Sequence, residues 1–332
     1  MSLTIRRSIF TDQPEEILQQ MIESMEQAVI GKRDAIELLM IAVICGGHVL
    51  MEDVPGVGKT TLVRALAKTI DCRFKRLQFT PDLLPADITG VSILNRQTNE
   101  FEFREGPLFS NIVLADELNR ASPKTQSALL EAMEEKHVSV DGITFPLPVP
   151  FLLLATQNPI EYEGTYPLPE AQLDRFLIRI RLGYPSAAHE AEMLGRNPDR
   201  HPLDRVRPVI EREQLKELQR RVRSVHVDES VKQYIVELVS ATRHHQWIAL
   251  GASPRASLAL MHASQARALL MGRGYVLPDD VKQTLSPVVA HRLRLTAEAR
   301  INRQHAEGLL NQIVNQVHIP GLPRIGKGTG PS

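Results

Sequence analysis

Pro55-Gly56-Val57-Gly58-Lys59-Thr60-Thr61 decides how this chain is read. It follows the apolar run His48-Val49-Leu50-Met51 and opens a helix-like spacing of Leu62, Val63, Leu66, Ala67 and Ile70. Strand, glycine loop, Lys-Thr and helix in that order make a phosphate-binding loop. Glycine lacks a Cβ, so backbone N–H groups can close around phosphate oxygens. The N-terminus of the helix adds partial positive charge. Lys59 would reach the β- and γ-phosphates of a nucleotide, and the Thr60 hydroxyl would hold Mg²⁺. The general pattern GxxxxGK[ST] places glycine at position 53, where this chain has Asp53. An ordinary glycine turn is the plain alternative. The strand–loop–helix context favours the nucleotide site.

Around this loop the chain runs to 332 residues, with 43% apolar content and a formal net charge of +0. That length suggests two domains, and that apolar share is enough for a core. A neutral balance supplies no global basic field for nucleic acid or for a membrane surface. The two cysteines, Cys45 and Cys72, lie in apolar surroundings and read as buried reduced thiols. The longest apolar run, Ile36 to Met51, is interrupted by Glu37, Gly46-Gly47 and His48. The N-terminal residues around Arg6-Arg7 lack the apolar centre of a signal peptide. Together these point to a cytoplasmic protein with no membrane partner.

Residues 15–45 read as helices that stop at Gly46-Gly47. Five strand candidates follow: His48–Glu52, Phe74–Phe79, Asn111–Ala115, Phe151–Thr156 and Phe176–Arg181. The third and fourth are continuously apolar, as parallel strands covered on both faces require. The fifth alternates and suits an edge. Helical segments such as Lys124–Lys136 separate them, which gives a wound α/β fold with a parallel five-stranded sheet. Val91–Leu94 with Glu100–Arg104 reads as one hairpin. Val138–Val140 with Ile143–Phe145, around Asp141-Gly142, reads as a second. Each is either decoration or a contact point for a partner. After Gly183-Tyr184-Pro185 every segment reads as helix: Ala187–Arg196, Glu213–Val222, Glu229–Trp247, Pro254–Met271, Pro278–Arg292 and Gln304–Val317. The expected organisation is a nucleotide-binding α/β core over 1–185, an all-α domain over 186–318 and a flexible tail over 319–332.

Ile112-Val113-Leu114-Ala115-Asp116-Glu117 is an apolar strand ending in two carboxylates. Asp116 is placed to coordinate Mg²⁺ through water, and Glu117 to orient and polarise an attacking water. An acidic strand-to-helix junction is the bland alternative. Asn158 ends the next strand. It would bond the γ-phosphate or the water, or else mark a simple Asn-Pro turn. Arg175 is either paired with its neighbour Asp174 or projects into another subunit's nucleotide as an arginine finger. Ser253 reads as a helix cap, with Pro254 at the first position and Arg255 in the first turn. A cation there opposes the helix dipole, which suggests a task such as binding phosphate.

Taken together, Val29-Ile30-Gly31, Pro55–Thr61, Asp116-Glu117, Asn158, Leu173–Phe176 and Ser253-Pro254-Arg255 resemble an AAA+ ATPase. The wording of Glu52–Thr60, Phe101–Pro107, Ala115–Gln126 and Ala155–Pro159 is similar to the MoxR group of bacterial AAA+ proteins, where Asp53 is no departure. The resemblance spans about residues 15–320. It implies that Val29, Ile30 and Gly31 line an adenine pocket through backbone groups. Pro55, Gly56, Val57, Gly58, Lys59, Thr60 and Thr61 would form Walker A, and Asp116 with Glu117 Walker B. Asn158 would be sensor 1, Arg175 the arginine finger and Arg255 sensor 2. The Val91–Arg104 hairpin would be the helix-2 insert, and the helical half a lid domain. Gln78 or Thr80 would restrain Glu117, and Arg120 is either an interface contact or a helix-start residue. ATP and Mg²⁺ are the implied cofactors. A homo-oligomer, typically a hexamer, is the implied assembly, with proteins bearing von Willebrand factor A domains as partners.

The expected function is ATP-driven, chaperone-like remodelling or maturation. An ATPase subunit of a metal-chelatase-like complex would carry much the same motifs. A nucleic-acid motor is disfavoured by neutral charge and 5% aromatic content, which leaves few stacking platforms. A nucleotide-gated binding module would differ in releasing no ADP. If Arg255 meets the γ-phosphate of its own chain, ATP would also draw the two domains together.

Overall fold

A computed structural model of the chain describes residues 13–158, 165–195 and 201–321. The Arg6-Arg7 segment, Pro159, Arg196 and the tail from Gly326 lie outside the described residues.

Helices α1 (Pro14–Glu26) and α2 (Arg33–Cys45) precede the sheet. Gly46 ends α2 in the left-handed conformation, φ 68°, as glycine allows. The chain then runs through β1 (His48–Glu52), α3 (Lys59–Thr69), β2 (Phe74–Gln78) and α4 (Pro85–Thr89). A hairpin of β3 (Gly90–Asn95) and β4 (Glu100–Glu105) comes next, then β5 (Ile112–Asp116) and α5 (Pro123–Glu135). A second hairpin, β6 (His137–Val140) with β7 (Ile143–Pro146), leads to β8 (Leu152–Gln157), α6 (Glu170–Leu173) and β9 (Phe176–Ile180). The five main strands lie in the order β2-β5-β8-β1-β9, all parallel, with β9 at an edge as its alternation predicts.

Side-chain alternation sends each strand's residues to two cores. Val49, Met51, Leu114 and Leu154 face α2 and α3, whereas Leu50, Val113, Leu153 and Phe176 face α5. The first of these cores continues without a break into the helical half, through Leu218, Leu260, Ala263 and Leu285. Its helices are α7 (Ala187–Gly195), α8 (Arg212–Ser224), α9 (Glu229–Arg243), α10 (Pro254–Leu270), α11 (Pro278–Val289), α12 (Ala297–Ile301) and α13 (Ala306–Gln316).

This half is not wholly helical. β10 (Ile248–Leu250) pairs antiparallel with β11 (Arg294–Leu295), so the helix expected to reach Trp247 stops at Arg243. His244 ends it, and the Trp247 carbonyl accepts instead from Thr296 N–H. The helix expected to reach Arg292 gives way to a tight 3₁₀ turn after Val289. Pro287 sits just upstream, where it removes one helical N–H donor.

Candidate functional site

The phosphate-binding loop leaves the end of β1 and enters α3. Gly58 has φ 95°, a left-handed backbone that favours glycine, and no side chain caps the helix N-terminus behind it. No acidic residue occupies the first turn of α3. The donor set therefore suits an anion: uncapped helix amides, the Lys59 ammonium and the Thr60 hydroxyl. Lys59 Nζ donates to the carbonyls of Asp53 at 2.8 Å and Val54 at 3.3 Å. Burial lowers the Lys59 pKa from its usual value, while the charges of Asp53, Asp116 and Glu117 oppose the shift.

Asp116 and Glu117 end β5, in the central part of the same strand ends. Asp116 Oδ1 accepts from the Thr156 hydroxyl at 2.7 Å, and its Oδ2 accepts from Arg76 at 2.7 Å. Glu117 holds a left-handed backbone, φ 57° and ψ 48°, unusual for a residue with a Cβ. Its N–H donates to Thr156 Oγ1 at 2.8 Å. Such strain gathers at functional sites. Glu117 Oε2 accepts from Gln78 Nε2 at 2.8 Å and from Arg120 at 2.9 Å. Of the two candidates for restraining Glu117, Gln78 makes the contact. Thr80 lies beyond β2, and its carbonyl accepts from Leu83. Arg120, left open by the sequence, is a partner of Glu117. Asn158 closes β8 on the same side, its carbonyl 3.4 Å from Asn119 Nδ2.

Val29, Ile30 and Gly31 occupy the connection between α1 and α2. Ile30 and Gly31 border a cavity of about 540 Å³, whose lining also includes Arg181, Leu182 and His189. The Asp53 carboxylate accepts N–H bonds from Leu182 and, at 3.0 Å, from Gly183.

Arg175 and Arg255 are elsewhere. In the sheet register Phe176 sits beside His48, at the start of β1, whereas the phosphate-binding loop follows its end. At about 3.3 Å per residue the length of β1 alone separates them by roughly 13 Å. Glu134, near the end of α5, bridges the two arginines: Oε2 to Arg175 at 2.8 Å and Oε1 to Arg255 at 2.9 Å. The structure departs from two expectations and closes one alternative. Asp174 accepts from Ser253 Oγ at 2.9 Å and lies 3.3 Å from Arg292 Nε, whereas Arg175 pairs with Glu134, so the Asp174 alternative for that arginine falls away. Ser253 spends its hydroxyl on Asp174 and makes no capping bond. Arg255 does not approach the phosphate-binding loop of its own chain, because α10 places it at the opposite end of the sheet.

Sequence reasoning missed Arg76, Thr156 and Glu134. Arg76 carried a faint signal, since it shares a strand face with Gln78 two residues on. It missed a four-residue ionic network as well. Arg179 and Arg181 on β9 both reach Glu52, at the end of β1, and Glu307 in α13. Burial raises the Glu52 pKa, but the two arginines and Gln157 more than offset it, leaving a net lowering.

Comparison with known proteins gives consistent results. Residues 48–178 match the model of the "ATPase family associated with various cellular activities (AAA)", and residues 240–313 match the "AAA lid domain". YeaC of Bacillus subtilis (strain 168) is 55% identical over 92% of this chain and 95% of its own. The chaperone MoxR1 of Mycobacterium tuberculosis is 42% identical, covering 91% of this chain and 82% of its own. The crystal structure of a putative ATPase from Cytophaga hutchinsonii superposes with a TM-score of 0.86 at 41% identity, over 92% of this chain and 96% of that one.

Proposed function

Since the chain belongs to the MoxR group of AAA+ ATPases, we propose that it hydrolyses ATP with Mg²⁺ in a head-to-tail ring and uses the energy to remodel or mature partner proteins. One observation carries the ring. The carboxylates Asp116 and Glu117 stand at one end of the sheet, and the cations Arg175 and Arg255 are gathered on Glu134 at the other. A surface with a nucleotide site at one end and two arginines at the other is complementary to itself by rotation, which generates a closed ring when the rotation permits. A hexamer is the assembly expected from the family resemblance.

Lys59 and the first amides of α3 bind the phosphates of the substrate. Thr60 and Asp116 would hold Mg²⁺, which would supply positive charge against the phosphates. Glu117 orients the attacking water and polarises it, and Asn158 bonds the same water or the γ-phosphate. Arg175 and Arg255 of the neighbouring subunit stabilise the charge that develops as the γ-phosphoryl group leaves. Gln78 and Arg120 hold Glu117 away from that task until the site rearranges.

Partner contact falls to the two hairpins. Phe103 on β4 stacks on Phe145 of β7, ring centres 3.9 Å apart, so the hairpins form one unit. Phe101, Ile93 and Leu94 remain exposed on it. A von Willebrand factor A domain protein is the partner expected from the resemblance. No helix among the described residues is long and apolar enough to cross a membrane, and cytoplasmic action is part of this proposal.

The test is turnover and mixing. Glu117→Gln should bind ATP and lose hydrolysis by about 10²-fold or more. Inactive Glu117→Gln and inactive Arg175→Ala proteins should together recover activity, because some interfaces then pair an intact arginine with an intact glutamate. Unchanged turnover in Glu117→Gln removes the base. No recovery despite confirmed subunit exchange removes the ring.

A further inference from the structure

Asp53 stands where phosphate-binding loops in general carry glycine, and its two ends face different subsites. Its backbone carbonyl accepts from Lys59 Nζ at 2.8 Å, on the phosphate side. Its carboxylate is 8% exposed and turns the other way, onto the N–H groups of Leu182 and Gly183. These residues leave β9, and Leu182 forms part of the wall of the 540 Å³ cavity beside Gly31. The carbonyls of the same segment are held from the opposite side. Lys32 Nζ donates to Leu182 at 2.7 Å, Gly183 at 3.0 Å and Tyr184 at 2.8 Å. The peptide groups after β9 are thus fixed between an anion that takes their N–H groups and a cation that takes their carbonyls.

The far wall is packed without slack. A Cβ on Gly31, which has φ 66°, would meet the His189 ring at 2.1 Å. His189, in the first turn of α7, is itself bonded to Ser186 Oγ at 2.9 Å, just after the fixed segment. Displacing Leu182 and Gly183 would therefore move this wall of the cavity relative to the phosphate loop. Glycine at 53 supplies no carboxylate to prevent that.

We infer that Asp53 is a positioning residue that sets the distance between the phosphate subsite and the purine subsite, and so makes the site select a whole nucleotide over a bare polyphosphate. The inference rests on the nucleotide reading of the loop and on reading the cavity beside Gly31 as the pocket for the base. It adds that affinity for the base depends on a residue of the phosphate loop that touches neither base nor phosphate with its side chain.

The test compares two ligands on the full chain: ATP and inorganic tripolyphosphate, each with Mg²⁺, by calorimetry. Wild-type protein should bind ATP more tightly. Asp53→Gly should lose about tenfold or more in ATP affinity, the lower end for one charge-assisted hydrogen bond, while tripolyphosphate affinity stays the same. KM for ATP should rise with kcat little changed. Asp53→Asn keeps an acceptor oxygen and should restore most of the preference. Lys32→Met, which releases the same segment from the other side, should reproduce the selective loss, and it carries the test should Asp53→Gly fail to fold. Equal losses for both ligands, or none for either, would overturn the inference. Wild-type protein that binds neither ligand overturns the nucleotide reading itself, an outcome distinct from a lost preference.

Discussion

Gln78 and Glu117 meet across neighbouring strands, with the amide nitrogen 2.8 Å from the carboxylate oxygen. The same oxygen also takes a bond from Arg120, so the carboxylate proposed to polarise water is engaged twice. Gln78→Leu removes one of these bonds and leaves the carboxylate freer to turn. Basal ATP turnover, measured without any partner protein, should rise about three- to tenfold, the net range of one ordinary hydrogen bond. A fall in turnover would mean that Gln78 aligns Glu117 rather than restrains it.

Arg175 and Arg255 share one carboxylate, and their effects should not add. Each alanine variant should lose turnover, and the double variant should lose no more than the worse single one. Arg255→Ala mixed with Glu117→Gln should recover activity as Arg175→Ala does. Additive losses, or recovery with one arginine variant only, would separate the two arginines functionally.

His48 should make the fold sensitive to acid. Leu153 N–H donates to its Nδ1 at 3.0 Å, so Nε2 carries the proton and donates to the Met133 carbonyl. Burial lowers the ring's pKa from 6.5 to about 4. The unfolded chain takes up a proton below pH 6.5, and the folded one resists until about pH 4. Stability is thus unaffected above that window and falls within it, by on the order of 3 kcal/mol at most from this residue. Buried His291 acts with the same sign. Denaturant melts between pH 7 and pH 4.5 should show the slope, and His48→Gln should flatten part of it.

Asp280 anchors the helical half. It is 2% exposed, takes two bonds from Arg273 at 2.6 and 2.7 Å, and caps Leu277 N–H at 2.8 Å. Asp280→Ala should cost about 2–4 kcal/mol, because the guanidinium and the amide both lose a partner. Asp280→Asn should cost less, since it keeps an acceptor for the amide. Thermal unfolding of the three proteins would decide.

The sheet was legible in the sequence because parallel strands buried on both faces are written as unbroken apolar runs, as in Ile112–Ala115 and Leu152–Ala155. The second hairpin was legible from Asp141-Gly142, whose residues both adopt positive φ. The phosphate loop and the acidic strand end were legible because each is contiguous. What stayed hidden was pairing at a distance. Nothing in the spacing of Glu134 says that it gathers arginines from a loop before β9 and from the first turn of α10. β10 and β11 were invisible for another reason: three residues and two residues are too few to show a period.

The core beneath β1 and β9 runs unbroken from Leu39 on α2 to Leu260 on α10 and Leu285 on α11. A waist filled in this way does not bend cheaply, since opening it would expose side chains now shut away from water. A subunit so built is closer to a single stiff block than to a pair of jaws. In the ring proposed here, hydrolysis would then do its mechanical work at the seams, where one block's arginines let go of the next block's nucleotide, and each block would tilt as a whole.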